Sequence, residues 1–525
     1  MKKIFNTIFA VLAGAAVVSC NLDVLPTSAI AITEGEALIQ TEENLEQFTL
    51  NLHGYYRACH QGEYYIAEEV MLDNFNATSG YGNNYGTMHK CDGGLTANDY
   101  YISDFWQIHY GCINADNVYL ENTVTLPEEL QEAGNIGRGY AYFYRAASYL
   151  ALARHFCAAY DEATAGNPDT GLLLILKQDI TAKPARATLK ETYEQIGKDL
   201  DEAEKLLAGT AGSIRAEVPT IDAVHALKVR YFLDLARGVA PTTEVNYTDS
   251  VAFYGNAVIS SAAGYALANT AAQMQKEFRT DDGNEPIMQM YGSTSELPGG
   301  MGAFTGASED SEAGIYFSPL YLPSKALIDR YETTDLRYQM WFDNTLQVRS
   351  SGTYYTGVTL FVRYLGNPAL YNTNYPQSYQ KVRPFTLPEI YLSMAEAYTA
   401  AGDATNAVAA LNALQTARGT TTTSADETNV FREWQREMVG QGQLMSAFKR
   451  FGLGYNGRAG QEFAVTNAML TDVGDVFTRK KLDASDYHWV WAIPTHEIKI
   501  NPNIKQNPEW ADAAATDEQT EEGEA

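Results

Sequence analysis

Residues 387–418 read LPEIYLSMAEAYTAAGDATNAVAALNALQTAR, and the fold is decided here. Tyr391, Met394, Ala395 and Tyr398 recur at intervals of three and four, the spacing of one helix face. Gly402-Asp403 interrupts the run, and Ala407, Leu411 and Leu414 resume the period beyond it. Two short helices joined by a tight turn follow from this pattern. The small Ala395 and Ala407 let their axes approach closely.

The spacing is that of the tetratricopeptide (TPR) pattern W-x2-L-G-x2-Y, with its A-x3-F matched by Ala407 and Leu411. One such pair cannot bury its apolar face alone and needs stacked neighbours. A pair at 221–238 and 248–262 has similar length and spacing, with poorer residue matches. Leu45, Phe48, Leu52 and Tyr55 mark a helix over 41–57. Ile136, Tyr140, Phe143, Ala147 and Leu150 form one stripe, and Tyr142, Ala146, Tyr149 and Ala153 a second. A helix apolar on two faces is packed between neighbours. Thr188 with Glu191 is a capping box opening a helix striped by Leu189, Tyr193, Ile196, Leu200, Ala203 and Leu207. Helices resume at Pro388 and run to about Arg450. The expected fold is all-α: a scaffold of TPR-like helical pairs with long irregular loop insertions and a few short strands.

Two stretches break the helical period. Residues 73–101 are rich in Gly, Asn and Tyr. Residues 291–376 are dominated by Gly, Ser, Thr and Tyr, with short alternating runs and one helix near Ser324 to Tyr331. Loops of that length are uncommon in compact domains unless functional or disordered. The chain has 35 Tyr against 20 Phe and 6 Trp, enough to supply both core packing and a surface that stacks on flat apolar faces.

Hydrophobic residues make up 45% of the 525 and charged residues 19%, a globular composition with a net charge of -28. Such acidity repels phosphates, which argues against nucleic acid and anionic lipid as partners. Lys2 and Lys3, an apolar run from Ile8 to Val18, and Val17-Val18-Ser19-Cys20 read as a secretory signal ending in a loose lipobox. Cys20 is then the lipidation site, and several acyl chains on it make a stable anchor. Residues 1–19 are the signal peptide, 20–40 a lipidated tether and 41–510 the folded body. Residues 511–525, which carry six acids and no base from Asp512 on, are an acidic disordered tail. The remaining cysteines, Cys59, Cys91, Cys112 and Cys157, show no C-x-x-C pairing, and their disulfide state stays open.

No H-E-x-x-H, G-x-S-x-G or P-loop occurs. Gly452, Gly454 and Gly457 spell G-x-G-x-x-G after a helix and not after a strand, so they read as a helix stop and a turn. His488 and His496 flank Trp489 and Trp491 at a spacing that suits no common metal site; a packed strand is expected there. Neither a catalytic residue, a metal nor a cofactor is expected.

Several segments, in order, resemble the SusD/RagB family. Cys20-Asn21-Leu22-Asp23 with Pro26 is similar to its post-lipobox stretch. Trp106, Tyr110, Ile113 and Asn117 match its W-x3-Y-x2-I-x3-N helix. Arg138, Tyr142 and Tyr149 through Phe156, then Ala187-Thr188 through Leu207, resemble the next helices. Tyr331, Asp335 and Arg337 fit Y-x3-D-x-R, and Leu387 through Arg418 fits the family's helical hairpin. Ile493-Pro494, Glu497-Ile498, Asn501-Pro502 and Gln506-Asn507-Pro508 match its closing segment. One departure stands out. Gln441, Leu444 and Ala447 replace a Glu, an Arg and an Asp, which suggests that apolar packing has replaced a buried ionic cluster.

The resemblance implies four TPR-like pairs carrying ligand-facing segments. It also implies an outer-membrane lipoprotein facing the outside, which captures an oligosaccharide and delivers it to a SusC-like TonB-dependent transporter. Some members handle peptides instead, and a third reading is a transporter lid with little ligand binding of its own. Sugars present apolar C–H faces, on which aromatics stack, and a hydroxyl rim, which Asn and Asp bind. The glycan-binding candidates are accordingly Asp73, Asn76, Tyr81, Asn83, Asn84 and Tyr85 in the first irregular stretch, and Tyr291, Tyr316, Phe317 and Trp341 in the second.

Overall fold

The computed structural model describes residues 38–179, 181–461 and 480–511. Cys20, the signal segment and the tail beyond residue 511 lie outside them.

The decisive hairpin forms α12 (Leu387–Ala400) and α13 (Ala404–Ala417). Pro388 sits in the first turn of α12, where its missing N–H is no loss. Gly402 takes φ 77° just past the helix, and Asp403 N–H reaches back to the Tyr398 carbonyl at 2.9 Å. The Asp403 side chain then caps α13 through Asn406 N–H. Ala395 and Ala407 are fully buried. Close approach recurs at Gly255, where an added Cβ would meet Met394 Sδ at 2.6 Å.

Outward from this pair the scaffold is built from α1 (Glu42–Ala58), α2 (Gly62–Met71), α3 (Gly86–Lys90), α4 (Tyr100–Asn122) and α5 (Gln131–Phe156). It continues with α6 (Leu189–Leu207), α7 (Ile221–Gly238) and α8 (Tyr247–Ile259). After α1 packs on α4, each of α4 to α7 packs on the next, and α7 and α8 pack on α12. This is the stacked-pair, TPR-type architecture expected from the sequence. Both halves of the Thr188–Glu191 capping box are present. The doubly apolar α5 is buried along nearly its whole second half, between α4 and α6.

A buried ion network ties α14 (Glu427–Glu437) to the short α11 (Leu336–Trp341). Arg337, fully buried, donates to Asp335, Glu433 and Glu437 at 2.6–3.0 Å. Arg418 donates to Glu437 and Glu285. Tyr331, Asp335 and Arg337, which match the family's Y-x3-D-x-R, are therefore structural. Where the 441–452 segment departs from the family, α15 (Leu444–Phe451) buries Leu444 and Ala447. Charge reaches its N-terminus from α2 instead, because Glu68 accepts from Met445 N–H at 3.1 Å.

The strands are short. β1 (Phe75–Ala77) pairs antiparallel with β5 (Tyr321–Pro323), and β2 (Pro286–Met288) with β10 (Phe385–Thr386). β6 (Phe342–Asp343) pairs with β9 (Leu360–Phe361). β3 (Ala307–Asp310), β4 (Gly314–Phe317), β7 (Val348–Ser350) and β8 (Thr353–Tyr355) form one sheet in that order. The strand expected around Trp489 is absent. Asp486 caps a 3-10 turn at Tyr487–Trp489, and Trp491 inserts beside Met71 with its indole N–H on the sulfur. Gly452, at φ 60°, ends α15 as expected.

Candidate ligand-binding face

The two irregular stretches meet. Register pairing of β1 with β5 places Ala77 opposite Tyr321. Thr78 N–H and hydroxyl bond the carbonyls of Leu320 and Pro319. Ser79 then contacts Ser350 at 2.8 Å and Ser351 at 3.1 Å, at the tip of the β7–β8 hairpin. That hairpin turns on Ser351 (φ 48°) and Gly352 (φ 83°), the positive-φ pair that a tight antiparallel turn requires.

On one side of this seam lies a tyrosine cluster. Tyr85 stacks on Tyr101 with centroids 4.6 Å apart, and Tyr100 meets Tyr101 edge-on. Tyr81 and Tyr85 both lean edge-on against buried Tyr321, whose hydroxyl donates to the Asn84 carbonyl at 2.5 Å. Asn83 and Asn84 are exposed beside them. Tyr85 itself is left-handed, at φ 57°, an uncommon conformation for a bulky side chain. Burial pushes its hydroxyl well above the ordinary phenol range.

On the other side the β3–β4–β7–β8 sheet alternates in its facing. Phe317 and Val348 point into a small core with Leu322, Val358, Leu360 and Val362. Tyr316, Arg349 and Tyr354 point outward. Arg349 lies over both rings, 5.2 Å from the Tyr316 centroid and 5.4 Å from that of Tyr354, and donates to the Tyr316 hydroxyl at 3.1 Å. Hydrogen bonds from Ser308 and Arg349 hold the Tyr316 hydroxyl below its usual range. A rigid guanidinium between two rings suits a ligand with an apolar face and a hydroxyl rim.

Of the sequence candidates, Tyr81, Asn83, Asn84 and Tyr85 therefore lie on one side of the seam and Tyr316 on the other, the two asparagines exposed and the three tyrosines half-buried. Asp73, Asn76, Phe317 and Trp341 join neither side, because they are buried. Asp73 pairs with Arg330, and Asn76 donates to the Arg458 carbonyl at 2.6 Å. Trp341 lies in the main core with the Arg363 guanidinium 4.2 Å from its ring centroid. Tyr291 lies apart, above a cleft along α1. The sequence reading missed Tyr100, Tyr101 and Arg349. Arg349 was detectable in principle, because a Ser-Gly turn two residues downstream sets it across from Tyr354.

Elsewhere, a small cavity of about 70 Å³ lies between α1, α2, α4, α5 and α15, lined by His60, His109, His155 and Glu68 among others. It has room for a few waters and none for a sugar ring. Burial pushes both His60 and His109 down to about 3. Cys59, Cys91, Cys112 and Cys157 are buried free thiols. Among the described residues no group of three or more His, Cys, Asp or Glu is placed to hold a metal ion, and no helix is long and apolar enough to cross a membrane.

Comparison with known proteins gives the same architecture a family. Residues 21–233 match the SusD-like profile described as "starch-binding associating with outer membrane", and residues 249–510 match that of the SusD family proper, SusD/RagB. The chain belongs to the SusD/RagB family, an outer-membrane-associated family of binding proteins. Among solved structures it is similar to a SusD superfamily protein from Bacteroides thetaiotaomicron, at TM-score 0.69 and 20% identity, over 88% of this chain and 99% of that one. A SusD superfamily protein of Bacteroides vulgatus aligns at TM-score 0.67 and 17% identity, over 90% and 99%. A laminarin-binding SusD-like protein aligns at TM-score 0.65 and 16% identity, over 90% and 100%. No match was found among curated proteins.

Proposed function

We propose that this protein captures an extracellular glycan on the Tyr81–Tyr85–Tyr101 and Tyr316–Arg349–Tyr354 surface. It then hands the glycan, without cleaving it, to a SusC-like TonB-dependent transporter. A lipid on Cys20 tethers it to the outer membrane on the outer side. The observation that carries this reading is the surface itself: tyrosine rings and amide groups from two irregular stretches, held at the surface by a rigid helical scaffold. The laminarin-binding relative supports a carbohydrate ligand. Membership of a family of binding proteins supports capture without hydrolysis.

Affinity electrophoresis of the chain from residue 21 onward, in gels containing laminarin, starch, arabinoxylan or yeast mannan, tests it. Retardation by at least one polysaccharide is expected, and the Tyr81→Ala/Tyr85→Ala variant migrates freely. Unretarded migration in every gel contradicts the reading, as does release of reducing sugar from the retained polysaccharide.

A further inference from the structure

Tyr291 does not join the tyrosine surface. It stands 46% exposed above a cleft of about 530 Å³ between α1, α5 and the segments around Val218 and Met290. That volume is typical of small-ligand sites. None of its lining residues belongs to the surface already described.

Three features mark it as more than a packing gap. Gly54 lies in the interior of α1, where glycine is destabilising relative to alanine, yet an added Cβ there would meet nothing within 4 Å. No neighbour requires that glycine; what it leaves open is the cleft. Next, the rim carries charges of both signs as ion pairs, Arg57 with Glu296 at 2.6 Å and Lys381 with Glu217 at 3.5 Å. Lastly, His53 lines the cleft with its Nδ1 held by the Tyr144 hydroxyl at 2.7 Å. Burial pushes this imidazole down to about 4, so it is neutral at pH 7.

We propose that this cleft is a second carbohydrate site, which seats a sugar ring with its C–H face on Tyr291 and its hydroxyls on the charged rim. An aromatic platform beside paired donors and acceptors matches that ligand class. The inference rests on the reading of the chain as a glycan binder, but its site is separate, so the two can fail separately.

The test uses binding constants for laminarin, starch, arabinoxylan and yeast mannan, measured on the wild type and on Gly54→Trp, Tyr291→Ala and Tyr85→Ala. Gly54→Trp fills the cleft, and Tyr291→Ala, at an exposed position, guards against a folding defect in the first variant. The expected result is that both cleft variants weaken the best polysaccharide about fivefold, or about 1 kcal/mol, and that this loss adds to that of Tyr85→Ala. Unchanged affinity in both cleft variants, with loss only in Tyr85→Ala, overturns the second site and spares the first. Loss confined to the cleft variants supports the cleft and overturns the tyrosine surface. If the wild type binds none of the four, both fall. If it binds instead a tryptic casein digest, and the cleft variants abolish that, the carbohydrate assignment of the cleft is overturned.

Discussion

Tyr85 and Trp341 show what a single residue does and does not disclose. Both are aromatics in irregular stretches, and composition treats them alike. Trp341 ends α11 and is enclosed by Arg363, Phe278 and Phe361, whereas Tyr85 is half-buried, stacked on Tyr101 and edge-on to Tyr321. Burial of a lone aromatic depends on contacts distant in sequence, which no local period records. The same holds for Asp73, whose partner Arg330 is far along the chain. The buried Arg337 was legible as a motif but not as an ion network. Arg337→Ala leaves Asp335 without its buried cation, while Glu433 keeps Arg436 and Glu437 keeps Arg418, and it is expected to cost about 3–5 kcal/mol, read from urea unfolding. A midpoint equal to wild type would show that the network is solvated.

At the scale of elements, the helices were read well because their periods are long and their caps local. Thr188 accepts from Glu191 N–H at 3.0 Å, and Glu191 accepts from Thr188 N–H at 2.8 Å. Thr188→Ala is expected to lower stability by about 1 kcal/mol, with no effect on ligand retention. Strands of two to four residues carry too few alternations to be placed by period, so the pairing of β1 with β5 was not foreseeable. That pairing creates the candidate surface by joining the two irregular stretches. The 3-10 turn at Tyr487–Trp489 was misread as strand because aromatic content mimics strand preference, while its actual determinant is one Asp486 side-chain bond.

Across the whole molecule, buried titrating groups set the pH response. Burial lowers His53 to about 4 and His60 and His109 to about 3, so below the ordinary value of 6.5 the unfolded chain takes up protons that the folded one refuses. Stability from these groups is lost as pH falls. Burial raises Glu69 and Glu277 to about 7, so the folded state holds their protons above 4.5 and their contribution is lost as pH rises toward 7. Relative to wild type, His109→Gln is therefore expected to raise the urea midpoint more at pH 5 than at pH 7, and Glu69→Gln to favour the folded state more at pH 7 than at pH 5; the reverse order would contradict the assignment. The scaffold was legible in the sequence because stacked helical pairs repeat. The candidate surface was legible only as a pair of regions, because it is assembled by contacts between them. We propose that this assembled surface, and not the buried aromatics, holds the glycan. Isothermal titration of the retained oligosaccharide into Tyr85→Ala and Trp341→Phe tests it most directly. The account predicts a loss of about tenfold or more, near 1.4 kcal/mol, for Tyr85→Ala and an unchanged constant for Trp341→Phe. Unchanged binding by Tyr85→Ala, with loss in Trp341→Phe, would contradict it.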